Sequence, residues 1–404
     1  MSNTPADSLS PKMPKPKLIV QKYGGATLAT PEQIKQVAKR IHQLHQSGTQ
    51  VVVVVSAMGQ TTNQLIELAR QVSPNPHLRE LDMLLTVGER MSMSLLSMAL
   101  NDLGSKAISF TGSQAGILTD ESHVNASIID VKAFRVEAAL KENKIVILAG
   151  FQGVSPVTKE ITTLGRGGSD TSAVAMAGYL KADQCEILKD VDSIYSADPK
   201  IVKNAKSLPE LNYSQLEEMT KWGAKVLHSK SVEMAHLKNV KLFVGSAADI
   251  KSIGTTISAD AKTKTDGLSV NSYSTVFKMQ YSDVTNQNYK DEFCSYIIGH
   301  QIAAPDILHA DKDIFYIAGP KENLDLIQNI DFKVSNFKLL RTDLSSVSLT
   351  CQDKPSAKMI ESALHKLKEE NILPERQVIT ANNINFFLEQ KEKTTAIQIL
   401  HALI

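Results

Sequence analysis

Between Leu18 and about Val244 the chain repeats one unit, a short apolar run followed by a longer segment with helical spacing. The runs are KLIVQ, QVVVVV, AISF, IVILA and CEIL, five strand candidates with little polar interruption. A strand wetted on one face alternates apolar and polar residues, whereas continuous apolar runs demand cover on both faces. Strand, helix, strand repeated in this way predicts an α/β fold of three layers, a mainly parallel sheet between two layers of helices. The first helix is well marked. Thr30 stands at the N-cap, Pro31 at the first helical position and Gln33 two residues later, a capping-box start, with Gly48 as a stop. Its apolar face, Ile34, Val37, Ala38, Ile41 and Leu44, follows the 3.6-residue period.

Length and charge narrow the reading. A chain of 404 residues predicts two or three domains, and 42% hydrophobic residues are enough for real cores. Lysine and arginine number 44 against 43 acidic residues, a net charge of +1. That balance speaks against nucleic acid or an anionic membrane as partner. Any anion chemistry must come from local placement of a few cations. Cys185, Cys294 and Cys351 are odd in number and far apart, which fits buried thiols in a reducing cytoplasm rather than disulfides or a zinc site. His42 and His45 lie three apart without a partner cluster, so no histidine metal centre is expected. No apolar run approaches the ~18 residues of a membrane span. Residues 1–17, rich in Pro, Ser and Lys, read as a disordered tail without the apolar core of a signal peptide.

The character changes near residue 260. SADAKTKTDG is polar and charged, and 261–271 reads as a linker. From 272 to 404 shorter strands and a few helices follow. SSVSLTC, a helix from about Ala357 to Glu370, then QVITANNINFFLEQ and a last helix read as β-α-β-β-α, with a blurrier version from about Ser272 to Ile330. Two small ferredoxin-like α+β modules are expected.

Lys22-Tyr-Gly-Gly falls at the C-terminal end of the first strand, the edge where open α/β sheets bind ligands. Two glycines allow close backbone approach, and a lysine adds a full charge, a pairing suited to phosphate oxygens. A plain turn with a snorkelling lysine is the alternative. Neither GxxxxGK[ST] nor GxGxxG occurs, so phosphate would be held by another arrangement. In TTLGRGGSDTSA, Gly165, Gly167 and Gly168 form a loop before a helix, with Arg166 beside it. Glycine amides and a helix N-terminus make an anion site. N-capping is the alternative reading of Ser169 and Asp170. Ser56, Thr61 and Thr62 offer hydroxyls after the second strand, and Glu89 in TVGER suits an amino group or is an exposed helix charge.

KYGG, VVVVVSAMG, TVGER, GFQGV, TTLGRGGSDTSA, DVDSIYSADPK and WGAKVLHSKSVEMA occur in the order and spacing of aspartate kinases, over about residues 18 to 257. The chain resembles that family. The resemblance implies the amino-acid kinase fold over 18–260 and two ACT modules after it. It implies transfer of the γ-phosphate of ATP, with Mg²⁺ held mainly by the ATP phosphates, to the β-carboxylate of L-aspartate. Lys22 would hold the transferring phosphate, and Asp170 would position that lysine and the Mg²⁺-bound phosphates. Gly24 and Gly25 would donate backbone N–H bonds, and Lys225 would be a second phosphate cation. Ser56, Asp190, Tyr195 and Lys200 match nucleotide-contacting positions. Arg166 would grip a substrate carboxylate, Glu89 would face the ammonium, and Thr62 and Ser169 would hydrogen-bond. ACT modules pair between chains, which implies a homodimer or homotetramer.

Several positions depart from that pattern. Ala26 stands where a hydroxyl is usual, and Lys189 replaces a Ser or Thr before Asp190. Gln60, Asn63 and Gln64 follow Ser56 where acidic residues are common, and Lys200 replaces an arginine, a fork traded for a point charge. The Asp-x-Pro-Gly effector turn of ACT modules is reduced to Asp353-Lys-Pro-Ser356 in the second module and is missing from YSDVTNQNYKDEF in the first. Feedback control by lysine or threonine is therefore an open hypothesis, while the modules are expected to keep their fold and dimer role.

Overall fold

The computed structural model describes residues 17–249, 253–261, 267–283, 288–300, 302 and 304–404. Of the expected tail, residues 1–16 lie outside them, as do 262–266 of the expected linker and 284–287 of the first effector-turn stretch.

Among the described residues the first part is built on an eight-stranded sheet. Its strands are β1 (Leu18–Tyr23), β2 (Gln50–Val55), β3 (Ala107–Phe110), β6 (Ile145–Ala149), β9 (Gln184–Lys189), β10 (Glu210–Leu211), β11 (Leu242–Ser246) and β12 (Thr255–Ile257). They lie in the order β10-β12-β11-β9-β1-β2-β6-β3, parallel except where β12 meets β11. All five apolar runs lie in this sheet. Helix α1 (Pro31–Gln46) carries the capping box read from Thr30 and Gln33. With α4 (Val87–Asp102) it covers one face, where Ile34, Ile41, Leu96 and Leu100 meet Val51, Val53 and Ile147. Helices α5 (Phe134–Lys141), α6 (Gly168–Leu180), α7 (Tyr213–Lys221) and α8 (Ser229–Lys238) close the other face over Val20, Val52 and Ile187. Along the chain α2 (Thr61–Val72) and α3 (Leu78–Leu85) come between α1 and α4.

A small second sheet, β5-β4-β7-β8, is made by β4 (Ile117–Thr119), β5 (Ile128–Val131), β7 (Gln152–Val154) and β8 (Ile161–Thr163). Asp82 of α3, fully buried, anchors it. Its carboxylate accepts from the Thr163 hydroxyl at 2.6 Å, from the Val124 N–H at 3.0 Å and from His123 Nδ1 at 2.6 Å. Asp82 thereby holds the end of β8, from which the glycine loop departs.

The C-terminal part is one antiparallel sheet, β14-β15-β13-β16-β18-β17. Two of its strands are long, β13 (Gly267–Tyr281) and β16 (Phe337–Cys351), and they pair along most of their length. The others are β14 (Asp306–Asp311), β15 (Ile314–Ala318), β17 (Arg376–Ile379) and β18 (Asn383–Glu389). The expected linker at 261–271 ends sooner than the charge pattern implies. Residues from Gly267 already belong to β13, because Leu268 and Val270 bury against the first part and the C-terminal sheet respectively. Helices α9 (Tyr289–Gly299), α10 (Lys321–Gln328), α11 (Ala357–Glu369) and α12 (Lys393–His401) pack on one face of this sheet, against Phe277, Phe315, Phe386 and Leu388. Side chains of opposite parity, Val276, Tyr316, Leu344 and Phe387, surround Trp222, which follows α7. The period of two in each strand thus gives one face to the helices and the other to the first part of the chain. Ser356 donates no flexibility to a turn. Its side chain accepts from the Met359 N–H at 3.1 Å and caps α11.

Candidate active site

Strand β1 lies between β2 and β9, and the sheet grows outward from it in both directions. The crevice at the carboxyl ends of β1 and β9 is therefore the topological switch point, where open α/β sheets hold ligands. Lys22, next to last in β1, emerges there with only 7% of its surface exposed. Its Nζ lies 2.6 Å from Asp170 Oδ1 in the first turn of α6. Burial raises the Asp170 carboxyl pKa, but the charges of Lys22, Lys189 and His228 and the Lys22 hydrogen bond outweigh it and hold the group below its ordinary value.

The loop geometry explains the glycines. A Cβ on Gly25 would sit 2.6 Å from the Ala57 carbonyl, so the strand-to-helix turns after β1 and β2 pass each other only without a side chain. Gly167 has φ +70°, and a Cβ there would meet His228 Cβ at 2.2 Å. Gly167 is also the N-cap of α6, so neither Ser169 nor Asp170 caps the helix; both lie in its first turn, buried. The Gly24 N–H points at Leu188 O, 3.4 Å away, and is engaged within the sheet rather than free for a ligand. Ala26 is exposed on the 3-10 turn Gly25–Leu28, and the neighbouring Thr27 hydroxyl donates to Gly24 O at 2.7 Å. Thr27 is thus committed to the turn and does not replace the hydroxyl missing at 26.

Glu89 in the first turn of α4 is 3% exposed, and its Oε1 accepts the Ala57 N–H at 3.0 Å. Its Oε2 is buried without a hydrogen-bond partner. Burial pushes its pKa up to about 7, against the opposing pull of the Ala57 N–H and the Lys22 charge. Glu89 is therefore a buried charge site rather than a solvated helix residue. Ser56 and Thr62 are half-buried, at the end of β2 and the start of α2.

Other residues singled out in the sequence stand apart from this cluster. Arg166 is exposed, and its guanidinium lies 3.6 Å from Glu322 of α10 in the C-terminal part. Lys225 is exposed, close enough to Lys393 of α12 to help depress that lysine's pKa, for which burial is the larger cause. Asp190 and Lys200 are exposed, and the Tyr195 hydroxyl donates to Asp192 at 2.9 Å. One residue treated as a departure joins the cluster instead. Lys189, last in β9, donates through Nζ to the Val226 carbonyl and contributes to holding the Asp170 carboxyl ionised. The signal for it was present, an apolar strand ending in a lysine as β1 nearly does. Among the described residues no three His, Cys, Asp or Glu side chains group as a metal site, and no helix is long and apolar enough to cross a membrane.

A buried lysine–carboxylate pair thus stands at the switch point of a parallel sheet, flanked by two glycine turns. Residues 17–246 match the amino acid kinase family, and the chain belongs to that family. Over 230 residues it is 56% identical to the aspartokinase of Mycobacterium tuberculosis (strain ATCC 25618 / H37Rv) and 55% identical to that of Corynebacterium glutamicum. Each match takes in 57% of this chain and 55% of the relative, so it spans about half the length of these curated relatives. The fold is similar to E. coli aspartokinase III in complex with aspartate and ADP (TM-score 0.76, 21% identity, covering 96% of this chain and all of that one). It is also similar to aspartate kinase from Synechocystis (TM-score 0.55, 31% identity, covering 95% of this chain and 68% of that one).

Proposed function

We propose that the chain is an aspartate kinase, transferring the γ-phosphate of MgATP to the β-carboxylate of L-aspartate to give 4-phospho-L-aspartate, a first step toward lysine, threonine and methionine. The observation that carries this reading is the Lys22–Asp170 pair, 2.6 Å apart at the switch point, within the residues that match the amino acid kinase family. A β-carboxylate with a pKa of ~4 is already ionised at neutral pH, so no general base is needed. Its oxygen attacks the γ-phosphorus, the bond to the bridging oxygen breaks, and ADP leaves with that electron pair. The obstacle is bringing one anion up to another. Lys22 relieves it by charge, and Asp170 fixes where that charge stands. Mg²⁺ enters on the nucleotide as part of the substrate.

In this reading Glu89 receives the aspartate ammonium on its unpartnered Oε2. Arg166 holds a substrate carboxylate once released from Glu322, a weak exposed pairing. Ser56, Asp190, Tyr195 and Lys200 face the nucleotide, Thr62 and Ser169 the amino acid, and Gly25 lends its backbone. We assign the C-terminal sheet to a pair of ACT-like modules that join chains into a homodimer or homotetramer. Ser356 caps a helix where an effector turn would have glycine, which supports an assembly role without lysine or threonine control. A cytoplasmic location follows from the substrates.

The test is to incubate the full chain with MgATP and trap acyl phosphate with hydroxylamine, offering L-aspartate, D-aspartate, L-glutamate and N-acetyl-L-glutamate. Hydroxamate is expected with L-aspartate alone. Faster product from another acid, or none from any, contradicts the reading.

Glu89 supplies a pH prediction. With a pKa of about 7 in the free chain, it loses its charge as pH falls below that value. The logarithm of kcat/KM for L-aspartate should then drop about one unit per pH unit on the acid side. Glu89→Gln should lower kcat/KM and flatten that limb. For stability the sign is opposite to that of a salt-bridged carboxylate. The folded chain binds this proton more tightly than the unfolded chain, so the contribution declines as pH rises from the ordinary 4.5 to about 7. An unchanged acid limb in the Gln variant would remove Glu89 from the site.

A further inference from the structure

Lys189 lies at the switch point itself. In the register of β1 and β9, Lys22 stands opposite Ile187, and side chains two residues apart in a strand share a face. Lys189 therefore projects from the same sheet face as Lys22, one step nearer the carboxyl edge. Lys22 pairs with Asp170, the buried carboxylate at the head of α6, at 2.6 Å, and the charge of Lys189 also acts on that carboxylate. Glu89, also close to Lys22, is half-protonated near neutrality. The buried Lys22 and the half-buried Lys189 stand against one buried carboxylate, which leaves the site short of negative charge, and a buried charge is stable only when paired. Asp190 beside Lys189 is exposed to solvent and screened. The loop whose Lys225 was expected to supply a second cation is instead fastened here by its own backbone, through the Lys189 bond to Val226 O, while Lys225 itself sits near Lys393.

We propose that Lys189 is the second phosphate-engaging cation of this site, neutralising the phosphoryl chain of the nucleotide beside Lys22. The proposal rests on the kinase reading above. Burial lowers the pKa of Lys189 and Asp170 opposes that fall, so Asp170 helps keep the group charged for the incoming anion. The competing role is a structural pin on the Val226 carbonyl, and the two roles separate by substitution. Lys189→Gln keeps a donor for Val226 without the charge, and Lys189→Met removes both.

Binding of ATP and of adenosine to the full chain is measured by calorimetry across a salt series, with circular dichroism melts as a check on folding. Both variants are expected to weaken ATP by about 10–100-fold, the worth of one charge-assisted hydrogen bond, with adenosine little changed. The salt dependence of ATP binding should be shallower in both. ATP affinity retained in Lys189→Gln would reduce Lys189 to a pin, and equal weakening of ATP and adenosine would mean a damaged pocket; either overturns the proposal. Wild-type chain that binds no ATP brings down the kinase reading and this proposal together, an outcome distinct from loss confined to Lys189.

Discussion

Lys22→Met is expected to lower acyl-phosphate formation by about 10²–10³-fold or more, the effect of deleting one preorganised charge from a water-poor site. Most of the loss should fall on kcat, because the lysine matters most when charge is moving between the γ-phosphate and its neighbours. Removing one member of a buried ion pair ordinarily costs about 3–5 kcal/mol, since the other is left uncompensated. Here Asp170 keeps Lys189 as a counter-charge, so the variant should fold with a smaller penalty than that. The hydroxamate assay reads the rate, and a denaturant titration reads the stability. A near-normal rate in a folded Lys22→Met chain would falsify the assignment of Lys22 to the transferring phosphate.

Trp222→Ala should have the largest effect on stability, about 3–5 kcal/mol as for other buried aromatic truncations. Trp222 is fully buried, and it joins the first part of the chain to the C-terminal sheet through Val276, Leu308, Tyr316 and Phe387. Its ring meets Phe387 edge-on, with centroids 6.2 Å apart. The junction has a polar half as well. Glu218 of α7 accepts from Asn383 Nδ2 at 2.6 Å, and Asn383 in turn accepts from Ser348 and Thr350. Truncating the ring leaves those bonds but opens a cavity between the two parts. The C-terminal sheet should then melt before the catalytic sheet, and calorimetry should resolve two transitions. Trp222 is the single tryptophan of the chain, so wild-type fluorescence during unfolding reports on this junction directly. A single transition displaced by under about 1 kcal/mol would show that the ring does not hold the two parts together.

The parts of the fold that local chemistry dictates are legible in the sequence. QVVVVV must be covered on both faces wherever it goes, and Thr30, Pro31 and Gln33 start a helix through bonds made within one turn. The short strands β4, β5, β7 and β8, of three or four residues, carry too little periodicity to be recognised alone. The extent of β13 was hidden for another reason. Gly267 to Asn271 alternates apolar and small polar residues that are all buried, because the polar ones face a second layer of protein rather than water.

The sequence by itself determined that this chain builds a covered parallel sheet with Lys22 and two glycines at a strand end, since those features rest on neighbours a few residues apart. It also placed Asp170 in a glycine-led helix start. Only the tertiary structure decided that β9 lies beside β1, and therefore that Lys189 shares Asp170 with Lys22 while Lys225 and Arg166 turn toward the C-terminal part. Strand order and the docking of two sheets come from long-range packing, and a one-dimensional pattern of apolar and charged residues carries no record of which strand end becomes whose neighbour.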